Sequence, residues 1–99
     1  MRTILKFHVP VEAGNAAIKS GAITRVIDTM TKQLNPEAAY FYAENGQRHG
    51  LMVFDLKDPS DIPGIVEPLF LELNAAVSLT PCLNSADLKK ALAKVAAAA

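Results

Sequence analysis

The chain has 99 residues, 51% of them hydrophobic, and its ten basic and ten acidic side chains cancel to a formal net charge of zero. This length suits one domain with one hydrophobic core, so residues 1–99 are predicted to form a single domain. The charges form no concentrated basic region, which excludes the electrostatic footprint of a nucleic-acid-binding protein. No apolar run approaches the roughly 20 residues that a membrane-spanning helix needs, so no membrane partner is predicted.

The cysteine and histidine content limits the covalent and metal chemistry that the sequence supports. Cys82 is the single cysteine, which excludes an internal disulfide, and the two histidines, His8 and His49, stand far apart in the sequence. No metal site and no cofactor are therefore predicted. Cys82 is interpreted as a small buried hydrophobe, with a nucleophilic thiol as the alternative. Strand-like sequence begins at Thr3 without the segments of a signal peptide, so a reducing, cytoplasmic location is expected.

The first predicted elements are a strand and a helix, with an ambiguous segment between them. Thr3–Val9 alternates apolar and polar side chains, which predicts a strand. Val11–Ser20 is predicted to form only a short helical turn, because Lys19 would fall in the apolar stripe of a helix running onward. A full helix is predicted to start at Ser20-Gly21 and to end at Asn35-Pro36.

A β-hairpin is predicted next, over Ala38–Leu56. Its turn is expected at Asn45-Gly46, because both residue types tolerate the positive φ of tight hairpin turns. Alternation along the first strand places Phe41 on one face and Tyr40 and Tyr42 on the other. The second strand is apolar on both faces over most of its length, which predicts an interior position in the sheet.

The second helix is predicted to open at Asp58-Pro59-Ser60 and to run to Leu73, with apolar residues at helical spacing. Pro68 lies in its interior, where a proline clashes with a preceding carbonyl and costs roughly 3 kcal/mol. A kink at Glu67-Pro68 is the expected relief. Leu71 falls outside the apolar stripe and is a candidate contact with another subunit.

The last predicted elements are a strand over Ala75–Leu83 and a short C-terminal helix. Asn84, with Asp87 three residues later, resembles a helix N-terminal capping pair. Residues 96–99 are four alanines and are interpreted as a fraying helix end.

The element order β-α-β-β-α-β, with an added C-terminal helix, predicts an α+β domain of the ferredoxin-like class. The four strands would form an antiparallel sheet in the order 4-1-3-2, with both amphipathic helices on one face. The other face, which we call the open face, is not needed by the helices. Its predicted residues are Ile4, Lys6, His8, Tyr40, Tyr42, Leu51, Val53, Asp55, Ser78, Thr80 and Cys82. Apolar area of this extent is typical of an interface or a ligand cleft.

Element order and face pattern over nearly the whole chain resemble the dimeric α/β-barrel superfamily, which includes antibiotic biosynthesis monooxygenases and muconolactone isomerases. Asn35–Arg48 and Ile62–Ala75 resemble an uncharacterised bacterial group within it. The resemblance implies a homodimer in which two sheets pack open face to open face. Cofactor-free monooxygenases and haem degraders of this fold commonly use a tryptophan or an axial histidine on a helix. The chain has no tryptophan and both histidines fall on strands, so neither activity is predicted.

Three residues of the open face are candidate catalytic residues. His8 is the candidate acid or base, since an imidazole exchanges protons near neutral pH. Tyr42 and Asp55 are the candidate assistants. The alternatives are a hydrogen-bonded histidine at the rim of the sheet, a tyrosine packed at a dimer contact and an aspartate in an ion pair at the edge of the sheet.

Five further residues are candidate ligand-binding residues. They carry charged or aromatic groups near the predicted cleft, and they are Lys6, Tyr40, Arg48, His49 and Glu67. The alternatives are cross-strand packing for Tyr40, a solvated hairpin end for Arg48 and His49, and capping or solvation for Glu67.

The leading functional hypothesis is a homodimer that binds a small, partly aromatic or carbonyl-bearing metabolite in a cleft on the open face, with acid–base chemistry as a possible consequence. The alternative is a non-enzymatic interaction or ligand-sensing module whose open face is only a dimer interface. No phosphate-binding loop, nucleophile elbow or zinc-protease motif is present to decide whether the protein is an enzyme.

Overall fold

The structure is a computed structural model that describes Met1–Ala99. Its strands are β1 (Arg2–Val9), β2 (Ala38–Glu44), β3 (Gln47–Asp55) and β4 (Ala76–Pro81). Its α-helices are α1 (Val11–Ser20), α2 (Ala22–Leu34), α3 (Ile62–Leu73) and α4 (Ser85–Ala98), and a single 3-10 turn at Pro59–Asp61 precedes α3. No helix is both long enough and apolar enough to span a bilayer.

The four strands form one antiparallel sheet in the order β2-β3-β1-β4. This is the predicted order read from the opposite edge, and the predicted α+β, ferredoxin-like arrangement is confirmed. β1 is central and pairs with β3 on one side and β4 on the other, so that Leu5 lies between Met52 and Leu79. Both central strands are thereby placed over the core.

One face of the sheet carries the core, and the sidedness predicted for the strands is confirmed. The apolar strand residues that are fully or nearly fully buried on this face are Leu5, Phe7, Val9, Met52 and Phe54. α2 and α3 contribute the buried residues Val26, Met30, Ile65, Leu69 and Leu73 to the same cluster. The other face is the open face, on which Tyr40 pairs with Leu51 and Tyr42 pairs with His49.

The edge strand β2 is the part of the sheet that the helices leave uncovered. Phe41 faces the helix side, opposite Gly50, as predicted from the alternation. Its side chain is nevertheless 54% exposed. The reason is that β2 packs closely only on β3 and no helix lies over it.

The structure corrects the prediction for Val11–Ser20, which is a ten-residue helix and not a short turn. The chain turns between α1 and α2 at Gly21, whose φ of 83° is in the left-handed region that glycine adopts without strain. Because α1 ends there, Lys19 belongs to the last turn of α1 and not to the stripe of α2. A basic residue in a last turn is favourable for the helix dipole.

The later elements follow the predicted pattern with small shifts. β4 is shorter than the predicted strand over residues 75–83. α3 contains Pro68 as predicted, and the kink at this proline stays a prediction. Leu71 is 80% exposed on the outer side of α3. The Asn84–Asp87 cap is confirmed, because each side chain accepts a hydrogen bond from the other residue's backbone amide, at 2.8 and 3.2 Å.

The C-terminal helix α4 projects from the domain. None of its residues is buried, and the molecule measures 55 × 29 × 17 Å along its principal axes. The first turn is held by an ion pair from Arg2 Nη1 to Asp87 Oδ2 at 2.7 Å. The apolar stripe of Leu88, Leu92 and Val95 is exposed to between 49% and 65%. A lone helix of this length is marginally stable in water, so its stripe needs a partner surface.

Asp58, at the start of the 3-10 turn, predicts that the stability of the protein depends on pH. Asp58 Oδ1 accepts hydrogen bonds from the backbone amide and the hydroxyl of Ser60, at 2.9 and 2.7 Å. These bonds hold the pKa of Asp58 below its ordinary value of 3.8. The stabilising contribution is therefore present above pH 3.8 and is lost as the pH falls through the lowered pKa. Asp58→Ala is expected to lower the thermal midpoint at pH 7, and the difference should shrink in acid.

Asp61→Ala is the matched control, because Asp61 is exposed and its side chain caps no amide. Thermal melts followed by circular dichroism from pH 7 to pH 2 compare the two variants. A deficit of Asp58→Ala that is constant over this range would contradict the assigned role of the carboxylate.

Candidate functional site

The largest pocket lies on the helix side of the sheet, between α1, α2 and the β2–β3 hairpin, and has a volume of about 810 Å³. We call it the hairpin pocket. Its apolar wall is formed by Phe7, Val11, Ile23, Ile27 and Phe41. Its polar lining includes Asn15, Asp28, Tyr42, Arg48 and His49. This size falls within the usual range for small-molecule sites.

Gly50 explains how the apolar floor of the hairpin pocket forms. It stands between Phe7 on β1 and Phe41 on β2 in the pairing register. A Cβ atom at Gly50 would lie 2.4 Å from two ring atoms of Phe7 and 3.2 Å from Phe41 Cδ1. The ring of Phe7 therefore lies over the Gly50 backbone and is only 4% exposed, while the neighbouring ring of Phe41 is exposed to the pocket.

Arg48 supplies the positive charge of the hairpin pocket. Its Nη2 donates a hydrogen bond to Asn15 Oδ1 at 3.1 Å, and the guanidinium packs against Gly14 of α1, where a Cβ would lie 2.5 Å from Nη1. The side chain is half-buried and forms no ion pair. Asp28, exposed on α2, also lines the pocket and also has no ion-pair partner. An arginine of this kind, in an apolar wall, is suited to an anionic group of a ligand.

A row of three rings crosses the open face at the same end of the sheet. The ring centroids of His8 and His49 are 5.1 Å apart, and those of Tyr42 and His49 are 5.3 Å apart, with interplanar angles of 26° and 23°. The row lines a depression of about 280 Å³ together with Lys6 and Glu44. His49 and Tyr42 contribute to both this depression and the hairpin pocket.

The structure brings together some of the predicted site residues. Lys6, His8 and Tyr42, which alternation assigned to the open face, line one depression there, and His49 joins them. Arg48 lies on the opposite side of the sheet, because successive side chains of a strand point to opposite faces and Arg48 is adjacent to His49. Its guanidinium therefore belongs to the hairpin pocket and not to the open face.

The other predicted site residues lie elsewhere. Asp55 is at the far end of β3 from His49, where it accepts a hydrogen bond from the N-terminal ammonium at 2.6 Å. That hydrogen bond, and the charge of the ammonium, lower the pKa of Asp55. Tyr40 is 66% exposed on the open face, two residues before Tyr42. Glu67 is exposed on α3 and lines neither site. The roles predicted for these residues stay predictions.

Several residues of the hairpin pocket were not predicted as site residues. Phe7 and the α2 residues Ile23 and Ile27 were assigned to the core. The spacing of apolar residues along a strand or helix is the same whether they fill a core or line a pocket. Asn15 was placed at the cap of a predicted short helical turn and not within a helix. The one sequence signal was Gly50, a glycine in an apolar strand, which commonly marks a close approach of another group.

Comparison with solved structures identifies the fold. A formyltetrahydrofolate deformylase from Pseudomonas putida KT2440 matches 83% of this chain with 16% identity and a TM-score of 0.51, and the chain spans only 29% of that protein. The de novo designed protein Ferredog-Diesel matches 82% of this chain and 85% of its own, with 6% identity and a TM-score of 0.50. The fold is ferredoxin-like.

A candidate antibiotic biosynthesis monooxygenase from Deinococcus radiodurans is also among the similar structures, with 11% identity, a TM-score of 0.47 and coverage of 86% of this chain and 95% of that one. Its description names one of the groups that the sequence resembles. No protein-family model and no curated protein matches the sequence. These likenesses establish architecture, and function has to be argued from the site.

Proposed function

We propose that the protein binds a small, partly aromatic molecule that carries an anionic oxygen, and that it does so in the hairpin pocket. The observation that carries this proposal is the half-buried guanidinium of Arg48, which lies in an apolar pocket without an ion-pair partner. A flat apolar body would pack on the exposed side chains of Phe41 and Val11, and its carboxylate would accept hydrogen bonds from Arg48. Asp28 offers an acceptor for a hydroxyl or amino group of the same molecule.

This proposal keeps the ligand class expected from the sequence and moves the main site to the other side of the sheet. The hairpin pocket is larger than the depression on the open face, about 810 against 280 Å³, and its lining is more apolar. Both properties favour binding of an aromatic molecule. Acid–base chemistry by His8 with Tyr42 is a further step that belongs to the open face.

Arg48→Gln tests the proposal with 2-naphthoate and its neutral analogue 2-naphthalenemethanol as probes. A hydrogen bond to a charged group contributes about 1.5–3 kcal/mol, so loss of the guanidinium is expected to weaken naphthoate binding by about tenfold or more. Binding of the neutral alcohol should change by less than about twofold, because it has no charge to pair. Isothermal titration calorimetry gives both affinities.

Two further variants sharpen the result. Lys32→Gln removes an exposed positive charge from α2 outside the pocket and should leave both probes unaffected. Ala43→Trp places a large ring into the pocket from the exposed edge strand and should abolish binding of both. Naphthoate that binds Arg48→Gln and the unchanged chain equally would contradict the proposal.

We also infer that the open face and α4 are interfaces between two copies of the chain. The open face carries the apolar residues Ile4, Leu51 and Val53 and the exposed Tyr40. α4 carries an apolar stripe that its own domain leaves uncovered. One chain thus presents an apolar sheet face and an apolar helix face that its own domain does not cover. A symmetric dimer would bury both surfaces on each of its two chains. Sedimentation velocity of the full chain should give a mass of two chains, and a single-chain mass would contradict the inference.

A further inference from the structure

The two histidines of the chain, 41 positions apart in the sequence, are cross-strand neighbours in the sheet. His8 on β1 pairs with His49 on β3, and both side chains project from the open face. Their ring centroids are 5.1 Å apart. We propose that His8 and His49 form a two-imidazole site for a borderline divalent cation such as Cu²⁺, Ni²⁺ or Zn²⁺.

The separation of the rings fits a shared ion. A histidine nitrogen binds Zn²⁺ at about 2.0–2.1 Å, so two imidazoles on one ion at a near-tetrahedral angle have centroids about 5 Å apart. The two rings are already at this spacing but are stacked at an interplanar angle of 26°, so binding of a shared ion requires the ring of His8 to rotate about its side-chain torsions until its lone pair faces the ion. The backbones need not move, because the pairing of β1 and β3 fixes the two Cα atoms opposite each other.

The surroundings of His49 favour one nitrogen as the ligand. Its Nε2 lies 3.1 Å from the backbone carbonyl oxygen of Glu44, which can only accept, so Nε2 carries the proton and donates. Nδ1 of the neutral ring is then left with its lone pair. A ligating histidine whose other nitrogen donates to a carbonyl is the usual arrangement in metal sites. The ring of Tyr42, stacked on His49, further restrains its orientation.

The rest of the site sets the coordination. No group of three or more histidine, cysteine, aspartate or glutamate side chains converges to hold an ion, so the protein supplies two imidazoles. The remaining coordination positions face the depression of about 280 Å³, which has room for water or a small anion. Lys6 in the same depression opposes a cation and Glu44 favours one. Among first-row divalent ions Cu²⁺ is expected to bind most tightly, by the general affinity order for nitrogen ligands.

Titration of the full chain with Ni²⁺ and with Cu²⁺ tests the site, in a Cys82→Ser background so that the thiol does not compete. One ion per histidine pair is expected. His8→Gln and His49→Gln should each weaken Ni²⁺ binding by at least about 100-fold. Removing an outer-shell partner of a metal ligand costs up to about 100-fold, and removing the ligand itself should cost at least as much. The double variant should lose no more than either single variant, because one imidazole alone is not a chelate.

Two controls separate ligation from folding. His8→Phe and His49→Phe keep a stacked ring and remove the ligand nitrogens, so they should retain the fold by circular dichroism and lose the metal. Lys57→Gln, remote from the row, should bind Ni²⁺ as the unchanged chain does. Additive losses in the two single histidine variants would show independent sites and overturn the proposal. So would Ni²⁺ binding by the double variant at unchanged affinity.

Discussion

Replacing Gly50 with alanine is expected to lower the free energy of unfolding by about 2–3 kcal/mol, the upper part of the range for overpacked cores. The added Cβ would stand 2.4 Å from two ring atoms of Phe7, a core residue that is only 4% exposed, so the packed ring would have to shift. The backbone itself permits the change, because Gly50 is not among the residues with positive φ. Urea unfolding followed by circular dichroism measures the effect.

Gly64→Ala is the matched control, since nothing lies within 4 Å of a Cβ at that position of α3. Alanine is favoured over glycine in a helix by up to about 1 kcal/mol, so this variant is expected to be as stable as the unchanged chain or more stable. Substitution of glycine by alanine should therefore lower the free energy of unfolding at Gly50 and leave it unchanged or raise it at Gly64. Gly50→Ala combined with Phe7→Leu should recover at least about 1 kcal/mol relative to additivity, since the two residues are in contact. Equal losses at Gly50 and Gly64 would contradict the packing described.

The second large effect is expected on association. Leu92→Glu places a carboxylate in the centre of the apolar stripe of α4, and it is expected to weaken the proposed dimer by about 100-fold or more. That factor corresponds to about 2.7 kcal/mol, which is within the range for a central interface residue. Sedimentation equilibrium over a range of micromolar concentrations gives the dissociation constant.

Ala93→Glu is the control for charge and helix propensity, because the new carboxylate is one residue away and turned by 100° from the stripe. It should change the dissociation constant by less than about threefold, as expected for a residue outside the energetic centre of an interface. If both glutamate variants stay dimeric, α4 is not part of the interface. If both become monomeric, added charge and not the stripe is responsible.

The sequence predicted the architecture well because period-2 and helical patterns report directly on which face is buried. Phe41 and Tyr42 are adjacent in the sequence, and alternation alone assigned them to opposite faces. The core residues of β1 followed from the same argument, whereas β3 is apolar on both faces and its buried side was assigned as the more apolar one. The error at Val11–Ser20 arose because Lys19 was tested against the stripe of α2, although Gly21 separates the two helices.

The site was harder to predict because it depends on contacts between elements. The hairpin pocket exists because α1 is a helix that carries Asn15 to Arg48 and because Gly50 admits the ring of Phe7. Neither contact leaves a local pattern in the sequence. The two histidines also looked unrelated, since only the register between β1 and β3 makes them neighbours.

The central position of β1 determines when the chain can fold during synthesis. Leu5 pairs with Met52 and with Leu79, so β1, which is synthesised before the other three strands, finds its two sheet partners only after residues 52 and 79 have been made. Until then the apolar face of Leu5, Phe7 and Val9 has nothing from the sheet to pair with. Such non-local pairing slows folding and exposes the nascent chain to aggregation. β1 is therefore the strand whose apolar face stays without its sheet partners for longest during synthesis.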